Sequence, residues 1–187
     1  MKIQFYGQNC FEIKNKDANM IFDPNEKVKG KSSDFATNSG NFNANFNLLK
    51  EVKKTLELPG EFEISGVLVR GFFSDENKKN VVYKVFMDDI AVVHFGNLSQ
   101  KPKTEFFEQL GENIDVVVLN ISEAFDAKAA KDLIETIDAR LTLIGGDQSL
   151  FPKMVESGAR ISEENPVTLS RTMLNEEKTD ILILTEA

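Results

Sequence analysis

The chain offers one imidazole, His94, and one thiol, Cys10, so a general base, a metal-bound imidazole and a thiolate nucleophile each have a single source. His94 stands in Val93-His94-Phe95-Gly96-Asn97-Leu98. There it reads either as a lone ligand or base, or as a partly buried histidine hydrogen-bonded at a strand end, which is the simpler reading. Cys10 needs an activating base or positive neighbours to become a nucleophile, and its alternating strand context suits a small core residue better. Glu61 and Glu63 lie two apart and so share one face of a strand, while Asp23 follows a strand end. Paired carboxylates do acid–base work on a glycosidic bond only at a defined separation. No spacing here supplies it, so a turn-stabilising or solvated role fits them better. Gly145-Gly146-Asp147 is too short to specify a phosphate cradle.

The densest chemical signal is Thr37 to Asn47, T-N-S-G-N-F-N-A-N-F-N, with asparagine at 38, 41, 43, 45 and 47. Such a run suits a loop whose side chains converge. An amide hydrogen-bonds and tolerates left-handed backbone, but it seldom holds a metal alone.

The elements that must position these residues belong to a chain of 187 residues, read as one domain over 1–187. With 41 % hydrophobic and 28 % charged residues, its composition is that of a soluble globular protein. Phenylalanine dominates the aromatics (15 Phe, 2 Tyr, no Trp), which points to core filling more than ligand stacking. A net charge of -8 argues against non-specific binding to nucleic acid or anionic membrane. The basic run Lys27 to Lys31 reads as a solvated turn. No apolar stretch reaches the ~20 residues of a membrane span, and a strand pattern starts at Ile3, without a signal peptide. A lone cysteine excludes an internal disulfide and fits a reducing cytoplasm.

Period-2 and short apolar segments predict strands at 3–6, 10–14 and 18–22, ended by Asp23-Pro24. A polar loop over 25–33 leads into the asparagine segment, and 46–54 reads as a brief helix with Leu48, Leu49 and Val52 on one side. Strands follow at 56–58, 61–64, 67–70, 81–86 and 90–93. Beyond residue 100 helices (104–110, 127–137 capped by Asp126, 150–156) alternate with strands (116–121, 141–144, 167–169, 181–184). Many short strands with late βα units predict two sheets covered by outer helices, an α+β domain.

In this order the residues resemble metallo-β-lactamase-fold hydrolases, most nearly the L-ascorbate-6-phosphate lactonase-like branch. Tyr6-Gly7-Gln8-Asn9-Cys10-Phe11 is similar to the family's Gly-His-Ser-Cys-Phe, and Ile21-Phe22-Asp23-Pro24 to its Ile-Asp-Pro. Leu58-Pro59-Gly60-Glu61-Phe62-Glu63 resembles a P-G-E-(Y/F)-E segment and His94-Phe95-Gly96-Asn97-Leu98 an H-x-G-D-L turn. Ile114 to Asn120 matches an I-D-V-L strand, and Leu143-Ile144-Gly145-Gly146 stands where I-P-x-H is expected. The matched pieces run from about residue 3 to 146. The resemblance implies a four-layer αββα sandwich in a compact version.

It also implies one or two metal ions that activate water to cleave esters, lactones, amides or phosphodiesters, held by an H-x-H-x-D-H loop, a later histidine, an aspartate and a terminal histidine. Against that pattern nearly every ligand is replaced. Gln8 stands for the early histidine, and the metal loop maps to Ser39, Asn41, Asn43 and Ala44, or one residue on to Gly40, Phe42, Ala44 and Asn45. Asn97 stands for the aspartate and Gly146 or a neighbour for the terminal histidine. The expectation is a remnant pocket of Gln8, Asp23, Ser39, Asn41, Asn43, Asn45, His94, Asn97 and Gly146, with no metal and no cofactor. The protein would be an inactive binding or regulatory homologue taking a small molecule or a protein, and homodimerisation is left open. The alternative is a hydrolase with a reorganised site of Asp23, Glu61, His94 and Asp147, using zinc or manganese. A third option is an interaction module whose cleft is plugged, by Phe42 or Phe46.

Overall fold

The computed structural model describes residues 1–40, 44–174 and 179–187. The first half supplies nine strands: β1 (Lys2–Phe5), β2 (Phe11–Lys14), β3 (Asn19–Phe22), β4 (Ser32–Thr37), β5 (Glu51–Leu56), β6 (Gly60–Ile64), β7 (Val67–Phe73), β8 (Val81–Met87) and β9 (Ile90–His94). Helix α1 (Thr104–Leu110), β10 (Val116–Ile121), α2 (Ala127–Ile137), β11 (Leu141–Gly146) and α3 (Phe151–Glu156) follow. Two-residue strands β12 (Arg160–Ile161) and β13 (Val167–Thr168), then β14 (Asp180–Ile183), complete the described elements.

They form two mixed sheets, ordered β13-β1-β2-β3-β4-β5 and β12-β14-β11-β10-β9-β8-β7-β6. Alternation decides which side chains meet between them. Ile3, Phe5, Phe11, Ile13, Met20, Phe22 and Phe35 of the first sheet pack on Val69, Tyr83, Val85, Val92, Val118 and Leu143 of the second. Each such side chain contributes about 1.5–3 kcal/mol through lost water contact. The outer face of the eight-stranded sheet carries a second core, in which Phe106, Leu133, Ile134 and Met154 from α1, α2 and α3 cover Val93, Val117, Leu119 and Ile144. Asp126 caps α2, accepting from the Ala129 amide. The layer outside the six-stranded sheet is thinned to two 3-10 turns, Glu26–Val28 and Phe46–Leu48, over Tyr6, Cys10, Ile21 and Ala36.

Two expectations fail between residues 25 and 56. The polar loop ends at Lys31, because Ser32–Thr37 is a strand parallel to β3. Ser33 and Asp34 are buried and bonded rather than solvated: the Asn19 amide donates to Asp34 and the Ser33 hydroxyl to the Asn19 carbonyl. The helix at 46–54 is a single 3-10 turn followed by edge strand β5, parallel to β4. Leu48, Leu49 and Val52 have helical spacing, but β4 offers an unpaired edge. Lys53 bonds Asp34 across it, and Lys54 lies 5.3 Å from the Phe62 ring centre.

Candidate functional site

Parallel pairing of β3 with β4 sets Phe22 opposite Thr37, so the residues just past both strand ends meet. Asp23 turns the chain with φ +46, and its carboxylate accepts from the Ser39 amide (2.7 Å), the Ser39 hydroxyl (2.8 Å) and the Asn9 side-chain amide (2.6 Å). One acceptor thus ties the β1–β2 turn to the loops after β3 and β4. Asp23 is fully buried. Burial pushes its carboxyl up to about 7, against the pull of the donors from Ser39 and Asn9.

His94 ends β9 on the inner face, opposite Tyr83 of β8 and Val118 of β10. Phe22 stacks on its ring at 4.4 Å between centres and 27° between planes, and Phe11 meets it edge-on at 5.6 Å. Phe5 lies 4.7 Å from Phe11, completing a row of four rings between the sheets. The expected strand-end hydrogen bond is not well formed: neither ring nitrogen has a partner at bonding geometry, although a backbone group of Asn9 favours the charged form. The register, invisible in sequence, turns this side chain inward against Phe22. Burial holds the imidazole neutral, with its pKa pushed down to about 3.

The glycines show how closely backbone and rings fill the remaining positions. A Cβ at Gly145 would lie 2.6 Å from the Phe5 ring and 2.8 Å from the Phe11 ring. At Gly146 (φ +110) it would lie 2.2 Å from the Ile121 carbonyl oxygen, and at Gly40 (φ +97) 2.2 Å from that of Lys79. Phe11→Ala, which empties the middle of the ring row, is expected to cost about 3–5 kcal/mol in chemical denaturation.

A sequence model of the β-lactamase superfamily domain matches residues 2–143. The chain belongs to the β-lactamase superfamily. Its fold is that of a Thermotoga maritima protein described as a zinc-dependent hydrolase of the metallo-β-lactamase superfamily (TM-score 0.83, 21 % identity, 98 % of this chain and 99 % of that one). It is also that of a Parabacteroides distasonis protein described as a metal-dependent hydrolase (TM-score 0.66, 11 % identity, 97 % and 91 % covered). The metallo-β-lactamase-fold protein YhfI from Bacillus subtilis matches at TM-score 0.64, with 9 % identity and 99 % and 96 % covered. At these identities the likeness is one of fold. Comparison with curated proteins gives no match.

Among the described residues no three His, Cys, Asp or Glu side chains are grouped to hold an ion. The Ser39 hydroxyl donates to Asp23, and the Lys79 carbonyl lies against Gly40. Asn41, Phe42 and Asn43 lie outside the described residues. Asn45 is exposed and caps the 3-10 turn, accepting from the Asn47 amide. Phe46 packs on the outer face of the six-stranded sheet, away from the cleft. Gln8 is exposed in a left-handed turn.

The Asn97 amide donates to the buried side chain of Asn80, which itself donates to the Phe95 carbonyl. Glu61 pairs with Arg70 at 2.6 Å on the exposed edge strand β6, and Asp147 caps a 3-10 turn through Ser149. These two carboxylates therefore do not join Asp23 and His94. Cys10 is buried, and burial pushes its thiol up to about 12, as suits a core residue. Reading by residue type missed Asn9, Asn80 and the rings of Phe5, Phe11 and Phe22. The two asparagines carried no signal beyond turn positions, whereas the period-2 spacing of the phenylalanines marked their common inward face.

Proposed function

We propose that this chain is a non-catalytic member of the superfamily, a binding or regulatory homologue that works without metal or other cofactor in the cytoplasm. The observation that carries this reading is the setting of His94. The chain's sole imidazole is buried in a row of phenylalanine rings, and among the described residues no three His, Cys, Asp or Glu side chains gather into a ligand set. Because Phe5, Phe11 and Phe22 fill the inter-sheet space, a macromolecular partner on the surface suits the fold better than a small molecule in the ancestral cleft. We take such a homologue to derive from the lactonase-like branch that its motifs resemble.

One observation favours the alternative of a hydrolase with a reorganised site. Asp23 is a buried carboxyl poised near neutrality, the range in which a general base operates. The test is metal content by mass spectrometry on protein purified without chelators, with thermal scans in Zn²⁺, Mn²⁺ and Fe²⁺ and assays on ester, lactone and phosphodiester substrates. The expected result is no stoichiometric metal, no stabilising shift and no metal-rescued turnover. One tightly held transition metal per chain, lost in His94→Ala, would overturn the proposal.

A further inference from the structure

A groove of ≈ 1370 Å³ lies at the end of the sandwich where β10 and β11 begin, away from Asp23 and His94. Its floor is apolar: Leu68, Phe86, Phe107, Ile114 and Ile137 line it and are only half buried. Its rim is acidic, with exposed Asp89, Glu108, Glu112 and Asp138. Among the described residues no lysine lines the groove. Its two lining cations, Arg140 and Arg171, both bond the carboxylate of Asp115, whose other oxygen accepts from the Ala91 amide. Asp88 is likewise occupied by the N-terminal ammonium at 3.1 Å. Arg70 leans over Phe86 from one side at 5.9 Å but pairs with Glu61. Among the described residues no ion pair engages Asp89, Glu108, Glu112 or Asp138.

We propose that this groove docks a basic amphipathic segment of a partner protein, its apolar face on Phe86, Phe107 and Ile114 and its lysines or arginines on the acidic rim. Charge complementarity selects the partner: a floor of half-buried aromatic and aliphatic side chains takes an apolar face, and unpaired carboxylates above it take cations. Size argues for a peptide, since pockets for small ligands run to roughly 300–1,000 Å³. Beneath the groove, Lys84 spends its ammonium on the Leu110 and Glu112 carbonyls, so the rim's cations are for the partner to bring. The assignment stands apart from the state of the ancestral metal site.

The test titrates the full chain with a lysine–leucine amphipathic peptide of about four helical turns, following binding by fluorescence anisotropy. The expected result is saturable binding that weakens with salt and is absent for the glutamate–leucine counterpart. Glu108→Lys with Glu112→Lys should weaken it at least about tenfold. Glu123→Lys with Glu156→Lys, an equal change of net charge elsewhere on the surface, should leave it intact. Phe107→Ala, checked for folding by a thermal scan, should weaken it at unchanged salt dependence. Equal loss in both charge-reversal pairs would reduce the effect to overall charge and overturn the proposal. Displacement by spermine at concentrations like the peptide's would assign the groove to small cations, and self-association that blocks the peptide would assign it to a second copy.

Discussion

Replacing His94 by phenylalanine is expected to leave the protein folded at neutral pH and to make it more stable than the wild type in mild acid. The sign follows from where the proton goes. In the unfolded chain the imidazole titrates at its ordinary 6.5, whereas in the folded state burial holds it neutral down to about 3. Between those values the unfolded state binds more protons, so wild-type stability falls as pH falls. Phenylalanine has no such proton, keeps the ring contacts with Phe22 and Phe11, and removes two buried nitrogens that lack partners. At about pH 5 the gain should be roughly 2 kcal/mol, from a slope of about 1.4 kcal/mol per pH unit, less any overpacking by the larger ring. Urea denaturation of both proteins at about pH 5 and pH 7.5 reads this difference directly. If the substitution instead destabilised the protein by several kcal/mol at pH 7.5 and released a bound metal, the imidazole would be a ligand after all.

The second large effect concerns Asp23, where alanine and asparagine should separate. Asp23→Ala leaves the Ser39 amide and hydroxyl facing no acceptor in a dry interior, and the Asn9 amide with only the Ser39 hydroxyl oxygen at 3.3 Å. Orphaned donors of this kind cost about 1–3 kcal/mol each, so a loss on the order of 4 kcal/mol is expected. Asp23→Asn keeps an acceptor oxygen for the Ser39 amide and carries no charge, so its cost near neutrality should stay within about 1.5 kcal/mol. The pH dependence runs opposite to that of His94. The carboxyl is raised from 3.8 to about 7, so the folded state keeps a proton that the unfolded chain has released. Wild-type stability from this group is therefore full below 3.8 and lost as pH rises towards 7. Asp23→Asn should consequently improve relative to wild type as pH rises across that window. Asparagine as damaging as alanine above about pH 8 would show that the ionised carboxylate is needed, as it would be beside a cation. The two buried groups oppose each other between about 4 and 6.5, so the single variants expose slopes that the wild type conceals.

Much of the scaffold was legible because its signals are local. The inward phenylalanines at 5, 11 and 22 alternate as strands require, and β10 and β11 are the mostly apolar, buried runs of parallel strands. Asp126 before Ala127 announced the cap of α2. Legibility failed where a neighbour overrode the local pattern. Ser32 and Ser33 look like the end of a polar loop until β3 gives the segment a ladder and Asn19 bonds Asp34. The segment after Leu49 looks helical until β4 offers an open edge.

The candidate site divides in the same way. Residue types alone established that the chain has one imidazole to offer any metal and that Asp23 follows a strand end. A ligand's chemistry belongs to its own atoms, so the poverty of donors needed no fold to be seen. Tertiary structure decided what those residues do instead. It set Asp23 against Ser39 and Asn9, closed Lys79 over Gly40, and turned His94 into a row of rings. It also gathered the acidic rim and apolar floor of the distal groove from segments some 70 residues apart in the chain. Each depends on strand register and on which face a side chain takes, and these are fixed only when two sheets bury their apolar sides together.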